Sequence, residues 1–352
     1  MPTSARRHGQ APRATLLHPV WQPLTRGEPW QPQEGEGPFT ARCLLKGAGW
    51  VGASRRLSML DLRTYAALVG MLRVQLPTPP ADDPDLDRQS TRTVKTTGYQ
   101  LCDMVFGSAD GRDYEHLRRS LARLLGARVW AQSVEFDRTI AARRVTTIAD
   151  PLIGRLTLAT DELTLIGGQS GDARRARARA WRSLRGTVSL SAEIGRWTAQ
   201  QAVADRTTWL DLDLLRALGT GLPARLWATL EAWGRWPQRS LDGREECAIG
   251  LGQPALESLG VTGYERRSDA RRALSRAGER ICATDPGYEL IRVERTLGWS
   301  LVVRRVSGAR ARAQARSGAS WRSAGIAASK RQRPVRAAVR AAVRDSLSDV
   351  AT

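Results

Sequence analysis

Two short strings constrain this chain most: Arg118-Arg119-Ser120-Leu121-Ala122-Arg123 and, later, Arg271-Arg272-Ala273-Leu274-Ser275-Arg276. Each sits in a segment of helical periodicity, and strand-like sequence follows each. Over 111–125, Tyr114, Leu117, Leu121, Leu124 and Leu125 recur at the spacing of a single helix face. At about 100° per residue, Arg112, His116, Arg119 and Arg123 fall within about 60° on the opposite side. The pattern predicts a helix with an apolar side for a core and a cationic side for solvent or a polyanion. Over 268–281, Ser268 is the expected N-cap; Ala270, Leu274, Ala277 and Ile281 face inward, and Arg272 and Arg276 face outward. Glu265 and Asp269 share that outward side and can pair with part of its charge. Arg118 and Arg271 stand at the border of the two faces.

The surrounding sequence repeats as well. Ser58 precedes apolar residues at 62, 65, 68, 69 and 72, which predicts a first packed helix. A loop over 76–88 holds four prolines and four aspartates and cannot be helix or inner strand. A second short helix is expected over 98–106, closed by Gly107. After the third helix, 128–136 and 139–148 carry β-branched and aromatic residues and predict a hairpin. Residues 150–166 read as further strands or a short helix. In the second half, Val188–Ser191 begins as a strand, and 210–219 and 222–233 read as helices. Residues 253–260 and 268–281 supply two more helices, and 288–294 with 299–305 a second hairpin. Gly107 precedes Arg118 by the same eleven residues that separate Gly260 from Arg271. Duplication of one unit is the expected source of the paired strings, with chance recurrence in so arginine- and alanine-rich a chain as the alternative.

Three helices followed by a hairpin is the order of a winged helix-turn-helix, whose third helix enters the major groove while the hairpin rests on the flanking backbone. The expected class is therefore α+β: two tandem winged helix-turn-helix domains with flexible basic arms. The expected boundaries are an arm over 1–45, a first domain over 46–166, a basic linker over 167–186, a second domain over 187–306 and a basic tail over 307–352. The linker holds six arginines and one acid, and 307–344 holds nine arginines, one lysine and no acid. Within the tail, Val335, Val339, Val343 and Leu347 recur every fourth residue, the spacing of a small helix that would form only on a partner or on DNA; the tail itself reads as a disordered electrostatic arm.

Charge points to the partner. The formal net charge is +20, and only Lys46, Lys95 and Lys330 among the 55 basic residues are lysine. Arginine is a permanently charged fork suited to phosphate and to the guanine edge, so double-stranded DNA is the expected partner. The candidate contacts are Arg112, His116, Arg118, Arg119 and Arg123 on the first reading helix and Arg271, Arg272 and Arg276 on the second. Arg138, Arg143 and Arg144 in the first hairpin, and Arg292, Arg295 and Arg304 in the second, are candidate backbone contacts. Trp209, Trp227, Trp233 and Trp236 occur among leucines at helical intervals and are expected in the core, as are Trp130 and Trp299 on strands.

Other classes fare worse. No lysine follows a glycine, so no phosphate-cradling GxxxxGK[ST] loop exists. His8, His18 and His116 are too far apart for a local metal site, and Cys43, Cys102, Cys247 and Cys282 are too scattered for a zinc site or disulfide framework. His116-Leu117-Arg118-Arg119 matches the HxxR string of tyrosine recombinases, but no tyrosine lies between Tyr114 and Tyr264 to act as nucleophile. Asp82, Asp83, Asp85 and Asp87 read as a solvated turn. No enzyme activity, cofactor or metal is expected. No apolar run reaches membrane-spanning length, and a reducing cytoplasm is the expected setting.

The series RLSMLDLRTYAALVGML, YQLCDMVFGSADGRDYEHLRRSLARLLGARV, VSLSAEIGRW and TTWLDLDLLRALGTGLPARLWATLEAW resembles plasmid replication initiators with tandem winged-helix domains, the TrfA-like and Rep-type initiators, over roughly 55–305. The resemblance implies binding to iteron repeats at an origin, opening of adjacent DNA, recruitment of host initiator and helicase, autorepression and a monomer–dimer equilibrium. Members that recruit the sliding clamp use a Gln-Leu-x-x-Phe-like peptide. Gln100–Phe106 is only loosely similar to it, and its spacing reads as a core helix. A transcriptional repressor of the same fold and an arginine-rich nucleic-acid enzyme are the competing readings.

Overall fold

The computed structural model of the chain describes residues 8–12, 15–16, 20–22, 51–53, 57–75, 92–137, 142–160, 163–164, 189–203, 206–233, 238–239, 245–252, 255–256, 259, 261, 264, 266–295 and 298–306. Its elements begin with strands β1 (His8–Pro12), β2 (Trp21–Gln22), β3 (Val51–Ala53) and β4 (Leu57–Ser58), then helix α1 (Met59–Gln75), strand β5 (Thr93–Thr97), and helices α2 (Gly98–Phe106) and α3 (Gly111–Leu125). Strands β6 (Arg128–Asp137), β7 (Ala142–Pro151), β8 (Ile153–Thr160), β9 (Leu163–Thr164) and β10 (Ser189–Ile194) follow. Next come α4 (Arg196–Val203), β11 (Thr207–Asp211), α5 (Leu212–Leu218), α6 (Leu222–Trp233), β12 (Gln238–Arg239) and β13 (Glu245–Gly250). The last are α7 (Arg267–Thr284), β14 (Tyr288–Arg295) and β15 (Trp299–Arg305). The fold is mixed α and β.

Helix α1 is the central element. It starts where Ser58 predicts, with reciprocal capping: Asp61 N donates to Ser58 Oγ at 3.3 Å, and Ser58 N donates to Asp61 Oδ2 at 2.8 Å. Leu62, Tyr65, Leu68, Val69 and Leu72 are fully buried, but so are Asp61, Thr64 and Ala66 on other sides. Such a helix is enclosed all round rather than laid on a surface.

Part of the enclosure comes from a segment whose sequence predicts a flexible arm. The described residues of 8–22 are instead core. Strand β1 pairs antiparallel with β11, from His8 opposite Asp211 to Pro12 opposite Thr207. It crosses α1 at backbone contact: a Cβ on Gly9 would lie 2.6 Å from the Ala66 carbonyl carbon, and one on Gly70 would lie 3.0 Å from Gly9 Cα. Only glycine permits that approach. Leu16 O accepts hydrogen bonds from Arg225 Nη1 at 2.8 Å and from Thr229 Oγ1 at 3.2 Å, and the Trp21 ring lies 5.5 Å from that of Tyr65. The segment is polar and lacks periodicity because its own residues form no amphipathic face; neighbours on α1, β11 and α6 supply the apolar surroundings.

The expected helix trio of the first half is present. Thr97 caps α2 by accepting from Gln100 N at 3.1 Å, and Gly107 closes it at φ 77°, a left-handed conformation that glycine adopts without strain. Asp110 caps α3, accepting from Arg112 N at 2.8 Å and Asp113 N at 2.9 Å. Tyr114, Leu117, Leu121 and Leu124 face the core as predicted, whereas Leu125 is 38% exposed because the last turn runs past the core's edge. Burying each such leucine contributes about 1.5–3 kcal/mol. Strands β6 and β7 form the predicted hairpin, in register from Arg128 opposite Pro151 to Asp137 opposite Ala142, and β3 adds a third strand beside β6.

Strand β10, placed by the sequence in a second domain from 187, belongs with the first half. It lies between β5 and β8, with Ser189 opposite both Thr97 and Ala159. The boundary expected at 167–186 is thus crossed by backbone pairing. The linker's own residues, the 76–88 loop and the 307–352 tail lie outside the described residues.

In the second half, α6 is followed by β12, β13, a helical stretch described at 255–256, then α7 and the β14–β15 hairpin. Leu256 N donates to Gly252 O at 3.0 Å and Leu259 N to Ala255 O at 2.9 Å. The sheet order is β12-β13-β15-β14, and the hairpin runs from Tyr288 opposite Arg305 to Arg295 opposite Trp299. Ala270, Leu274, Ala277 and Ile281 are buried as predicted. Ser268 is not the cap: α7 begins at Arg267, the cap position is Arg266 without a side-chain bond, and Ser268 is already inside the first turn. Trp227 is buried, with its indole Nε1 donating to Asp285 Oδ2 at 2.9 Å. Among the described residues no helix is long and apolar enough to cross a membrane.

Candidate nucleic-acid interface

Leu121 and Leu274, the leucines of the paired strings, are both fully buried, but the arginines around them part company. On α3, Arg123 turns inward. Its Nε donates to Asp61 Oδ1 and Oδ2 at 2.9 Å and its Nη2 to Oδ1 at 2.6 Å, leaving the side chain 12% exposed. Asp61, wholly buried, also accepts from Ser120 Oγ at 2.7 Å. Arg123 therefore belongs to the internal scaffold rather than the outward face assigned to it from periodicity. A buried carboxylate on the adjoining helix outweighs the helical angle, because a charge in the interior must be paired.

Arg118 and Arg119 share Glu115. Arg118 donates from Nε at 2.8 Å and from Nη2 at 2.5 Å, and Arg119 donates from Nε at 2.9 Å. Those bonds hold the Glu115 carboxyl down to about 2. Two guanidinium groups and one carboxylate leave one net positive charge. Arg119 remains 60% exposed, Arg112 is exposed at the helix start, and half-buried His116 leans on Phe106 with ring centroids 6.3 Å apart.

On α7 the outward arginines stay outward. Arg272 is 73% exposed, with only a 4.0 Å approach to Asp269, and Arg276 is exposed and carries no ion pair among the described residues. Spaced i,i+4, they share one face, where Cβ atoms at that spacing are about 5–6 Å apart. Arg266 and Arg267 are exposed at the start of the same helix, and Tyr264 just before it is 43% exposed. The sequence reading missed this group because Ser268 looked like the helix start; the doublet in Glu-Arg-Arg-Ser was the available signal.

The second hairpin is tied to α7 by aromatic stacking. Arg271 lies over the Trp299 ring at 3.9 Å from its centroid, and Arg295 approaches the same ring at 5.9 Å. Trp299, expected in the core, is 39% exposed and acts instead as a bracket between helix and hairpin. Cation–π contact holds the two arginines without neutralising them. Arg292 is exposed and paired with Glu294, and Arg304 pairs with Glu246 at 2.8 Å, so both carry reduced net charge. Arg143 and Arg144 lie on β7 opposite Phe136 and Glu135, with side chains outside the described residues; Arg138 lies wholly outside them.

Burial pushes both Cys102 and Cys247 up to about 12, which suppresses the thiolate at neutral pH. Among the described residues no group of three or more histidine, cysteine or acidic side chains is placed to hold a metal ion. Gln100 to Phe106 lies within α2, with Leu101, Cys102 and Val105 buried.

No protein-family model matches the chain, and no curated protein matches it significantly. Solved structures with similar backbones include a selenomethionine derivative of domains 2 and 3 of RctB, at a TM-score of 0.46 and 11% identity, over 84% of this chain and 98% of that one. A further structure of RctB domains 2-3 aligns at a TM-score of 0.41 and 11% identity, over 78% of this chain and 94% of that one.

Proposed function

We propose that the chain is a sequence-specific double-stranded DNA-binding protein of the replication-initiator type, built on two winged helix-turn-helix units, with no catalytic step of its own. The observation that carries the reading is the α7 face. Arg272 and Arg276 stand exposed one turn apart on a helix whose other side is core, and a hairpin is clamped beside it through Arg271 and Trp299. Such a helix fits the major groove, where arginine forks read guanine O6 and N7, while the hairpin lies along the flanking phosphates. Helix α3 is the second reader through Arg112 and Arg119, at lower net charge because of Glu115.

Initiation rather than repression is supported by the resemblance of the helix series to iteron-binding plasmid initiators. In this reading the two helices engage successive groove faces of an origin repeat, the bound protein opens neighbouring DNA without nucleotide hydrolysis, and host initiator and helicase join the complex. Footprinting on the DNA beside the chain's own gene tests binding: protected repeats spanning about two helical turns each are expected. A linked-origin replication assay then tests the role. Protection at a promoter with no replication of the linked origin would reassign the protein as a repressor, and metal-dependent cleavage of supercoiled DNA would make it an enzyme.

A further inference from the structure

We propose that Arg63 and Arg216 form a binding site for a phosphate-class oxyanion at the turn between α2 and α3. Arg63 belongs to α1 and Arg216 to α5, so the two guanidinium groups reach the turn from opposite halves of the chain. Arg63 lies over the Phe106 ring at 5.9 Å from its centroid. The Arg216 guanidinium fills the space beside Gly107 that a side chain would take, its Nη1 1.8 Å from the position of a Cβ there. Phe106 and Gly107 are thus flanked by one arginine each.

The pair is short of acceptors. Arg63 Nε and Arg216 Nη1 are both buried without a hydrogen-bond partner. Arg63 is 7% exposed, and its guanidinium is lowered to about 10 by burial and by the neighbouring Arg216 charge, against a weaker opposing effect of Asp113. Neither nearby carboxylate meets the two bare nitrogens: Asp213 pairs with Arg216 through Nη2 at 3.0 Å, and Asp113 accepts the Ser108 hydroxyl. A buried charged nitrogen left without an acceptor is costly, and the Arg216 charge acting on Arg63 adds to the cost. A phosphate group answers both, since its oxygens accept from two guanidinium forks at once and its charge offsets theirs. Nη1 itself is buried against Gly107, but the Arg216 side chain as a whole is 37% exposed, so the anion approaches from that exposed side with a shift of the guanidinium.

The anion is either a backbone phosphate of bound DNA or a free phosphate-class ion. Only the first source rests on the DNA-binding reading. In both cases the site joins α1 to α5 across the two halves, at the turn that sets the angle between α2 and α3.

Thermal unfolding of the full chain, with inorganic phosphate replacing chloride at constant ionic strength, tests the site. Wild type gains stability with phosphate; R216M requires at least about tenfold more phosphate for the same gain, a loss of about 1.4 kcal/mol. R206M, which removes an exposed arginine elsewhere, responds like wild type, and R63M responds like R216M. Each variant is compared with itself across phosphate concentrations, so a change in basal stability does not confuse the result. Equal phosphate responses in wild type, R206M and R216M would overturn the proposal. Duplex binding by R216M identifies the source: weaker binding with a salt slope smaller by about one marks a DNA phosphate, and unchanged binding marks a free anion. A wild type that binds no DNA while keeping the Arg216-dependent phosphate response would sink the DNA reading and leave the site standing.

Discussion

Arg123→Ala separates an internal ion pair from a DNA contact. Asp61 is wholly buried and takes three donor contacts from Arg123, between 2.6 and 2.9 Å, beside those from Ser58 and Ser120. Truncating Arg123 strands that carboxylate, and removing one partner of a buried pair costs about 3–5 kcal/mol. The serine hydroxyls remain to solvate Asp61, which places the expectation near the lower figure. At about 2–4 °C per kcal/mol for a domain of this size, the midpoint of thermal unfolding should fall by about 6–12 °C. Urea unfolding of wild type, R123A, D61A and the double variant supplies the measurement. The double variant should be less destabilised than the sum of the singles, with a coupling of about 1–3 kcal/mol. An R123A protein within about 0.5 kcal/mol of wild type, yet impaired in DNA binding, would refute the internal assignment.

Arg272→Ala and Arg276→Ala should each leave stability within about 0.5 kcal/mol and cost about 1–3 kcal/mol of discrimination between repeat and random duplex; equal losses on all sequences would mark phosphate contacts instead. Glu115→Gln should release Arg118 and Arg119 and tighten DNA binding at low salt, read by titration against duplex; unchanged affinity would remove α3 from the interface. Because the folded Glu115 carboxyl is held down to about 2 from 4.5, its contribution to stability is present above pH 4.5 and lost as pH falls through about 2, so wild type and E115Q should converge in acid unfolding. Burial raises the phenols of Tyr65 and Tyr288 above their ordinary 10.0, so the stability they give is full below that pH and declines above it; tyrosinate absorbance in Y65F should show one fewer late-ionising phenol. Gly9→Ala forces a methyl to within 2.6 Å of the Ala66 backbone and should cost about 1–3 kcal/mol in denaturant unfolding; no loss would show that β1 is not held against α1.

Periodicity made the helices legible because their apolar faces meet a core directly. Leu117, Leu121 and Leu124 on α3, and Leu274 and Ile281 on α7, are all fully buried, and the glycine closing α2 adopts the expected left-handed backbone. The hairpins were legible from their β-branched residues. Contacts between distant segments were not. Nothing local to His8–Pro12 announces a buried strand, since its pairing partner β11 lies some two hundred residues away. The same holds for β10, whose place between β5 and β8 depends on chain path rather than composition. At the interface, the helical angle alone put Arg123 outside, and a place on a strand put Trp299 inside. A buried aspartate on another helix and two stacked arginines reversed those positions, and neither partner can be read from spacing.

Arginine-selective chemical modification of the chain, with and without saturating repeat duplex and read residue by residue by mass spectrometry, addresses the DNA interface most directly. Arg267, Arg272 and Arg276 should react in the unbound protein and be shielded in the complex, while Arg123 and Arg225, enclosed by protein in both, should stay unreactive throughout. Arginines of α7 that remain fully reactive in a saturated complex would contradict the proposed groove helix.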